Sequence, residues 1–293
     1  QILKKNNIFL YSNTLDESIM YFAVNYLNII AKKFHIKSTF NLAREYDLKT
    51  ISNARENSII NILTNENKTI TNKKYLKNRN TVSFQLPKKN KTIFNEVNQS
   101  FEILNLCNYL LSSICKNIYQ EELLSYLYQL NVSLDENIKH LSKTKITVKL
   151  LNNIRYLINV KDNIKFIGSG VNYNISKLAS RLFSSKYNVA CAYDVLENHK
   201  HIDMSAEPLL FIFISNIKNK SYQMDAKSEI EKFISHGNTP ILITNENDKR
   251  FDLMKVNLNN KSNIFNQIKI KNINEEIAFI PSVMLVHKIL ANL

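Results

Sequence analysis

The sequence predicts an α/β fold of two doubly wound parallel sheets, each a three-layer α/β/α sandwich, joined by a helical region. Three observations carry this. Short, near-continuous apolar runs at residues 7–13, 58–65, 163–169 and 209–216 each stop in a polar turn, as parallel strands covered on both faces do. Stretches of helical periodicity separate them. The first two runs echo the last two in the same order, a weak internal repeat.

Along the chain, the run at 7–13 leads from an apolar strand through a polar turn into an amphipathic helix, and 58–65 is a second buried strand. A long helical region follows. Residues 93–118 place Phe101, Ile103, Leu104, Leu106, Leu110, Leu111 and Ile114 at helical spacing, and 121–141 and 145–160 repeat the pattern. Proline is absent from all three, and a local break is expected at 131–134. The second half opens with the strand at 163–169, a helix, and a strand at 188–193. It continues with strands at 209–216 and 240–244 and a terminal helix over 281–290, with Pro281 in its first turn. No Pro/Gly/Ser linker interrupts the chain, so the halves are expected to pack together. The boundary is placed near Thr144, giving domains 1–144 and 145–293.

At 293 residues and 44% hydrophobic content the chain can bury a sizeable core. No apolar run reaches the roughly 20 residues that cross a bilayer, and residues 1–6 lack the apolar core of a signal peptide. A cytoplasmic protein with no membrane partner is expected. Because the first residue is Gln rather than Met, a piece of a longer chain is also an expectation. Cys107, Cys115 and Cys191 are odd in number and lack metal-ligand spacing, which suits structural thiols. The net charge of +14 comes from lysines scattered among abundant Asn and Ile, the pattern of AT-rich coding bias. The densest run, 68–91, lacks the interleaved aromatics of single-strand binders. A solvated basic face is expected rather than a nucleic-acid partner, and it would help draw in a small anion.

Of only three glycines, Gly168 and Gly170 flank Ser169 where an apolar strand becomes a helix. Free N–H groups and the positive helix end converge there, which favours an anion. A dinucleotide is a second reading, with Asp194 about where a ribose-binding acid would lie, although Tyr173 stands in place of the third glycine. In the first half, Thr64, Asn65 and Thr69 supply the hydroxyls and amide that a sugar phosphate needs. Glu66 among them repels phosphate unless a cation such as Lys68 neutralises it, and a capped turn is the plainer alternative. The cluster Glu197, His199, Lys200, His201 and Asp203 could move protons near neutral pH or merely be polar surface. It has no third His or Cys at ligand spacing, so no metal and no cofactor is expected.

These strand–turn–helix pairs, the helices between them and the His201 cluster resemble the tandem SIS (sugar isomerase) domains of glutamine:fructose-6-phosphate aminotransferases, the glucosamine-6-phosphate synthases, over nearly the whole chain. Phe166-Ile-Gly-Ser-Gly170 is similar to that family's Leu-Gly-Arg-Gly turn. Ala192-Tyr193, Glu197 and Lys200-His201 resemble its Ala-Tyr…Glu-Leu-Lys-His-Gly-Pro stretch, and residues 91–101 the segment before its linking helices. Thr64-Asn-Glu-Asn-Lys-Thr69 falls on its Ser-Gln-Ser-Gly-Glu-Thr phosphosugar loop, and Tyr11-Ser-Asn-Thr14 on Cys-Gly-Thr-Ser. The resemblance implies phosphate binding by Thr14, Thr64, Asn65 and Thr69, and sugar-ring opening by His201. It also implies a homodimer whose His loop reaches the neighbouring pocket.

The departures are chemical. The family's isomerising glutamate falls on Leu182-Phe-Ser-Ser185, and serine is far too weak a base to replace it. The Gly-Pro after His201, the tail lysine that forms the Schiff base and the glutaminase domain have no counterpart. The favoured expectation is a module that binds a phosphorylated sugar or amino sugar and has lost the synthase reaction. The alternatives are an active isomerase or aminotransferase with Glu197 or Glu207 as base, and a dinucleotide-binding oxidoreductase.

Overall fold

The computed structural model describes residues 6–64, 81–86, 95–115, 118–161, 163–196, 209–217, 220–235, 238, 240–248 and 266–293. The chain divides into two compact units, 1–131 and 132–293.

In the first unit, β1 (Asn7–Tyr11), α1 (Glu17–Lys33), β2 (Thr39–Leu42), α2 (Leu48–Asn53), β3 (Asn57–Leu63), β4 (Thr81–Gln85) and α3 (Asn95–Ile114) follow in order. All strand pairs are parallel and the strand order is β2-β1-β3-β4. β1 and β3 are central, which is why their sequences are near-continuous apolar runs. Phe9, Tyr11 and Ile59 pack with Ala43, Leu48 and Ile51 around α2, while α1 and α3 pack on one another.

α4 (Gln120–Lys143) and α5 (Val148–Val160) lead into the second unit, which contains β5 (Asn163–Gly168), α6 (Val171–Tyr187), β6 (Ala190–Asp194) and β7 (Leu209–Phe213). α7 (Lys220–Ser235), β8 (Ile241–Asn245), β9 (Asn266–Ile270) and α8 (Phe279–Asn292) complete it. Its sheet is again all parallel, in the order β6-β5-β7-β8-β9. Second strand, first, third, fourth is thus the order in both units, with β9 added at one edge of the second.

The two faces of the second sheet follow from the alternation of side chains along each strand. Ile167, Leu210, Ile212 and Leu242 face Ala226, Ile230 and Phe233 of α7. Their neighbours Phe166 and Phe211 turn to the other face, stacked at 5.0 Å and 13° between rings, with Phe183 of α6 tilted against both. All three rings are fully buried. Basic side chains close the helix ends here. Arg155 donates to the carbonyls of Asn292 and Leu293, Lys186 to that of Leu290, and Lys288 to those of Leu141 and Ser142. These are carbonyls that a helix terminus leaves without intrahelical donors.

The break expected at 131–134 does not occur, and α4 runs unbroken. Leu123, Leu127, Leu130, Leu134 and Leu141 form one buried stripe along it, which outweighs the poor helix propensity of the exposed Asn131. His140 and Glu136 on its last turns meet Glu246 after β8 at 2.6 Å and Lys271 after β9 at 3.2 Å. β2, β4 and β9, which the sequence pattern does not reveal, are all edge strands of mixed burial. Removing the central ring of the aromatic stack tests how much of the second unit rests on it. Phe166→Ala should lower unfolding free energy by about 3–5 kcal/mol, read from guanidinium denaturation.

Candidate functional site

In each unit the chain leaves its first strand, crosses to one side to form the second, and returns on the other side to form the third. A crevice therefore opens above the carboxyl ends of β1 and β3, and of β5 and β7, where open parallel sheets bind ligands. The two crevices differ chemically.

Above β1, the turn is satisfied from within. Ser12 Oγ accepts the amides of Thr14 (3.3 Å) and Leu15 (3.2 Å) and lies 3.2 Å from Thr14 Oγ1. Asp16 caps α1, its carboxylate accepting from the Ser18 amide at 2.8 Å, and Glu17 follows in the first turn. The Asp16 carboxylate thus occupies the positive helix end, while Glu17 pairs with Arg44, just past β2, at 3.6 Å. Thr64, just past β3, is buried and its Oγ1 has no hydrogen-bond partner among the described residues. Asn65, Glu66, Lys68 and Thr69 lie outside the described residues.

Above β5, Gly168 and Gly170 are required for different reasons. A Cβ on Gly168 would stand 2.6 Å from the Asn172 carbonyl oxygen and 2.8 Å from its Cβ, so only glycine lets α6 start this close to the strand. Gly170 has φ +62°, with nothing within 4 Å of where a Cβ would point, so the space over it is open. Gly170 is the N-cap of α6, no side chain caps the helix, and its first turn holds no acidic residue. Ser169 Oγ accepts from the Leu196 amide at 3.1 Å, tying the turn to the end of β6. Asn172 Nδ2 donates to the Ser215 carbonyl at 2.9 Å, tying α6 to the end of β7.

The loops after β7, β8 and β9 are joined by one amide pair. Asn216, at φ +59°, donates its N–H to Asn245 Oδ1 at 2.6 Å, while its own Oδ1 accepts from Asn245 Nδ2 (2.9 Å) and the Ile273 amide (3.1 Å). Asn172, Ser215, Asn216 and Asn245 are brought together by these hydrogen bonds at the ends of β5, β7 and β8, a convergence that the sequence pattern does not reveal. Isolated Asn and Ser in an Asn-rich chain carry no signal until the fold brings them together.

Asp194 ends β6 and its carboxylate accepts from the Val195 amide at 2.8 Å. Tyr173, at the position of a dinucleotide turn's third glycine, sets its ring 5.7 Å from Tyr193 of β6, with Lys177 Nζ 5.8 Å from the Tyr193 ring. The position that is the third glycine of a dinucleotide turn thus carries a half-buried aromatic side chain packed against β6. Glu197, His199, Lys200, His201, Asp203 and Glu207 lie outside the described residues, and Leu182–Ser185 form part of α6. An open groove of about 460 Å³ lined by Phe34, Glu121, Glu122, Ser125, Tyr126 and Gln129 lies at the C-terminal end of α1, away from the strand ends. Lys33 Nζ already sits 3.4 Å from its Tyr126 ring.

No group of three or more potential metal-ligating side chains exists among the described residues, nor a helix long and apolar enough to cross a membrane. Cys107 and Cys115 are buried and Cys191, on β6, is partly buried. Burial pushes the Cys107 thiol up strongly and the Cys191 thiol up to about 11.

No family model and no curated protein matches the sequence. The fold, by contrast, is shared widely. The chain is similar to the C-terminal domain of glucosamine-fructose-6-phosphate aminotransferase from Francisella tularensis, with TM-score 0.66 at 12% identity over 99% of this chain and 85% of that one. It is similar to tagatose-6-phosphate ketose/aldose isomerase from Escherichia coli, with TM-score 0.53 at 13% identity over 98% and 83%. Glucosamine-6-phosphate deaminase from Thermotoga maritima matches with TM-score 0.52 at 9% identity over 98% and 86%. At such identities the likeness is one of fold.

Two measurements check the site geometry. Gly168→Ala should cost about 3 kcal/mol through overpacking against Asn172, and Gly170→Ala about 1–3 kcal/mol through a backbone conformation, φ +62° and ψ −128°, that side chains disfavour, both read by chemical denaturation. Because the thiolate is the nucleophile, a Cys191 pKa of about 11 leaves it almost wholly protonated at neutral pH. Iodoacetamide labelling of Cys191 should therefore accelerate about tenfold per pH unit up to that pKa, with Cys107 unlabelled until the chain unfolds.

Proposed function

We propose that the chain is a tandem pair of SIS modules, meeting near Thr144, that binds a phosphorylated sugar or amino sugar at the carboxyl edge of its strands. The observation that carries this is the repeated strand order with a crevice over the first and third strands of each unit. The second of these crevices is headed by a glycine turn over an uncapped helix. The proteins of like fold support it, since those named above are an amino-sugar-phosphate aminotransferase, a ketose/aldose phosphate isomerase and an amino-sugar-phosphate deaminase.

Binding without the synthase reaction is the reading the residues favour. The family's proton-transfer glutamate is replaced along Leu182–Ser185, and no hydroxyl there can take a carbon-bound proton at useful rates. His201 retains the role of candidate for ring opening, with Glu197 beside it. We extend the proposal to a cytoplasmic homodimer. Against a dinucleotide stands the absence of the fingerprint's third glycine, whose position is Tyr173.

Thermal denaturation of the full chain with fructose 6-phosphate, glucosamine 6-phosphate or NADH tests the reading. A phosphosugar at one hundred times its Kd should add about 2.7 kcal/mol of stability, or roughly 5 °C in Tm, and NADH nothing. Stabilisation by NADH alone sinks it. Turnover of fructose 6-phosphate that disappears in His201→Ala would replace a binding module with an active isomerase.

A further inference from the structure

We infer that the outer face of α5 docks an acidic amphipathic helix of a partner protein, which seats on a ridge of Val148, Tyr156 and Val160 beside Lys145 and Lys149. This surface lies in the second unit and stands apart from the phosphosugar reading above.

α5 turns its two faces to different surroundings. Leu151, Ile154 and Ile158 are buried at three- and four-residue spacing and account for its place in the fold. On the other side Val148, Tyr156 and Val160 are 70%, 63% and 54% exposed. Together with Asn152 they recur every fourth residue, which on a helix forms one continuous ridge of about 18 Å. Singly scattered apolar residues on a surface need no explanation. An aligned row of them is what ridge-into-groove helix packing uses.

Charge says what the ridge takes. No Asp or Glu occurs from residue 137 to residue 161, nor in α6. Both helices meet the end of α8, Arg155 donating to the carbonyls of Asn292 and Leu293 and Lys186 to that of Leu290. α7, on the other face of the sheet, is different, since Lys227 pairs there with Glu231 at 3.8 Å and Lys232 with Glu229 at 2.7 Å. Lys145 and Lys149 are exposed and have no carboxylate partner among the described residues. A coding bias toward lysine adds cations everywhere, but it does not strip carboxylates from one side of a unit.

The polar residue within the ridge selects the same occupant. Arg155 Nη1 donates to Asn152 Oδ1 at 2.9 Å, which leaves the Asn152 amide nitrogen to donate. A partner that brings apolar side chains to the ridge and carboxylates to Lys145, Lys149 and Asn152 is an acidic amphipathic helix. Two other occupants fit less well. A helix lying in a membrane interface presents an apolar face of about 100° or more, whereas this ridge is one residue wide and interrupted by Asn152, with Asn159 exposed beside it. A phosphate backbone takes lysine but gains nothing from Val148 or Val160.

The chain contains no tryptophan, so Tyr156→Trp puts a single fluorophore on the ridge of the full chain. The probe is a peptide of about 20 residues that repeats Leu-Glu-Gln-Ala, aligning leucines every fourth residue beside a row of carboxylates. Its addition should shift the Trp emission saturably to the blue, with a Kd below about 1 mM. A peptide of the same composition in shuffled order should bind at least about tenfold more weakly. Lys149→Glu in the same background should weaken binding about tenfold at unchanged Tm, and salt at about 0.5 M should weaken it as well. Equal binding of the two peptides would reduce the face to a general cation and overturns the inference. So does a blue shift that appears with phosphatidylserine vesicles, with a single-stranded oligonucleotide or on raising the protein concentration while the peptide does nothing. Those results give the face to a membrane, a nucleic acid or a second copy. No response to the peptide at about 1 mM sinks it too. Should the Trp variant not fold, anisotropy of the fluorescein-labelled peptide with the unaltered chain decides, with Lys149→Glu as its control.

Discussion

The close approach of α6 to the end of β5 is the constraint on which the rest of the second crevice depends. Because residue 168 has no side chain, Asn172 can come within 2.6–2.8 Å of where a Cβ would be. From that position Asn172 reaches across to the Ser215 carbonyl and joins helix to third strand. One missing methyl group thus sets the angle at which the helix leaves the strand, the polar bridge beneath it and the open space over Gly170. Sequence, backbone and site chemistry meet at a single steric fact.

Around that point the fold is over-determined by apolar packing. Phe166 and Phe211 stack flat with Phe183 against them, so β5, β7 and α6 are locked by the same three rings. On the carboxyl edge the reciprocal amide pair of Asn216 and Asn245, with the Ile273 amide, does for three loops what the rings do for the strands. Asn216 can hold its positive φ because asparagine tolerates the left-handed region better than most residues. Loops held this way can present polar atoms without losing entropy when a ligand arrives, which is how preorganisation gains affinity.

The two units show how one topology diverges through a few charges. Both place a helix N-terminus over the first strand, but Asp16 and Ser12 satisfy α1 from within while Gly170 leaves α6 open. A carboxylate cap stabilises its own helix and removes the field that an anion would feel. Duplicate geometry therefore carries different capping chemistry at its two helix ends.

What the sequence determined by itself was whatever local pattern encodes. Central strands buried on both faces read as apolar runs, long helices read as periodicity, and Gly168 and Gly170 stood out in a chain with one other glycine. Edge strands β2, β4 and β9 did not read, because a half-exposed strand needs no continuous apolar run. Nor did Asn131 break α4, because the buried leucine stripe on either side outweighs the preference of one exposed residue. Tertiary structure alone decided that Asn172, Ser215, Asn216 and Asn245 would converge. They are distant in sequence, chemically ordinary in so Asn-rich a chain, and meaningful only once parallel pairing carries the ends of β5, β7 and β8 to the same edge.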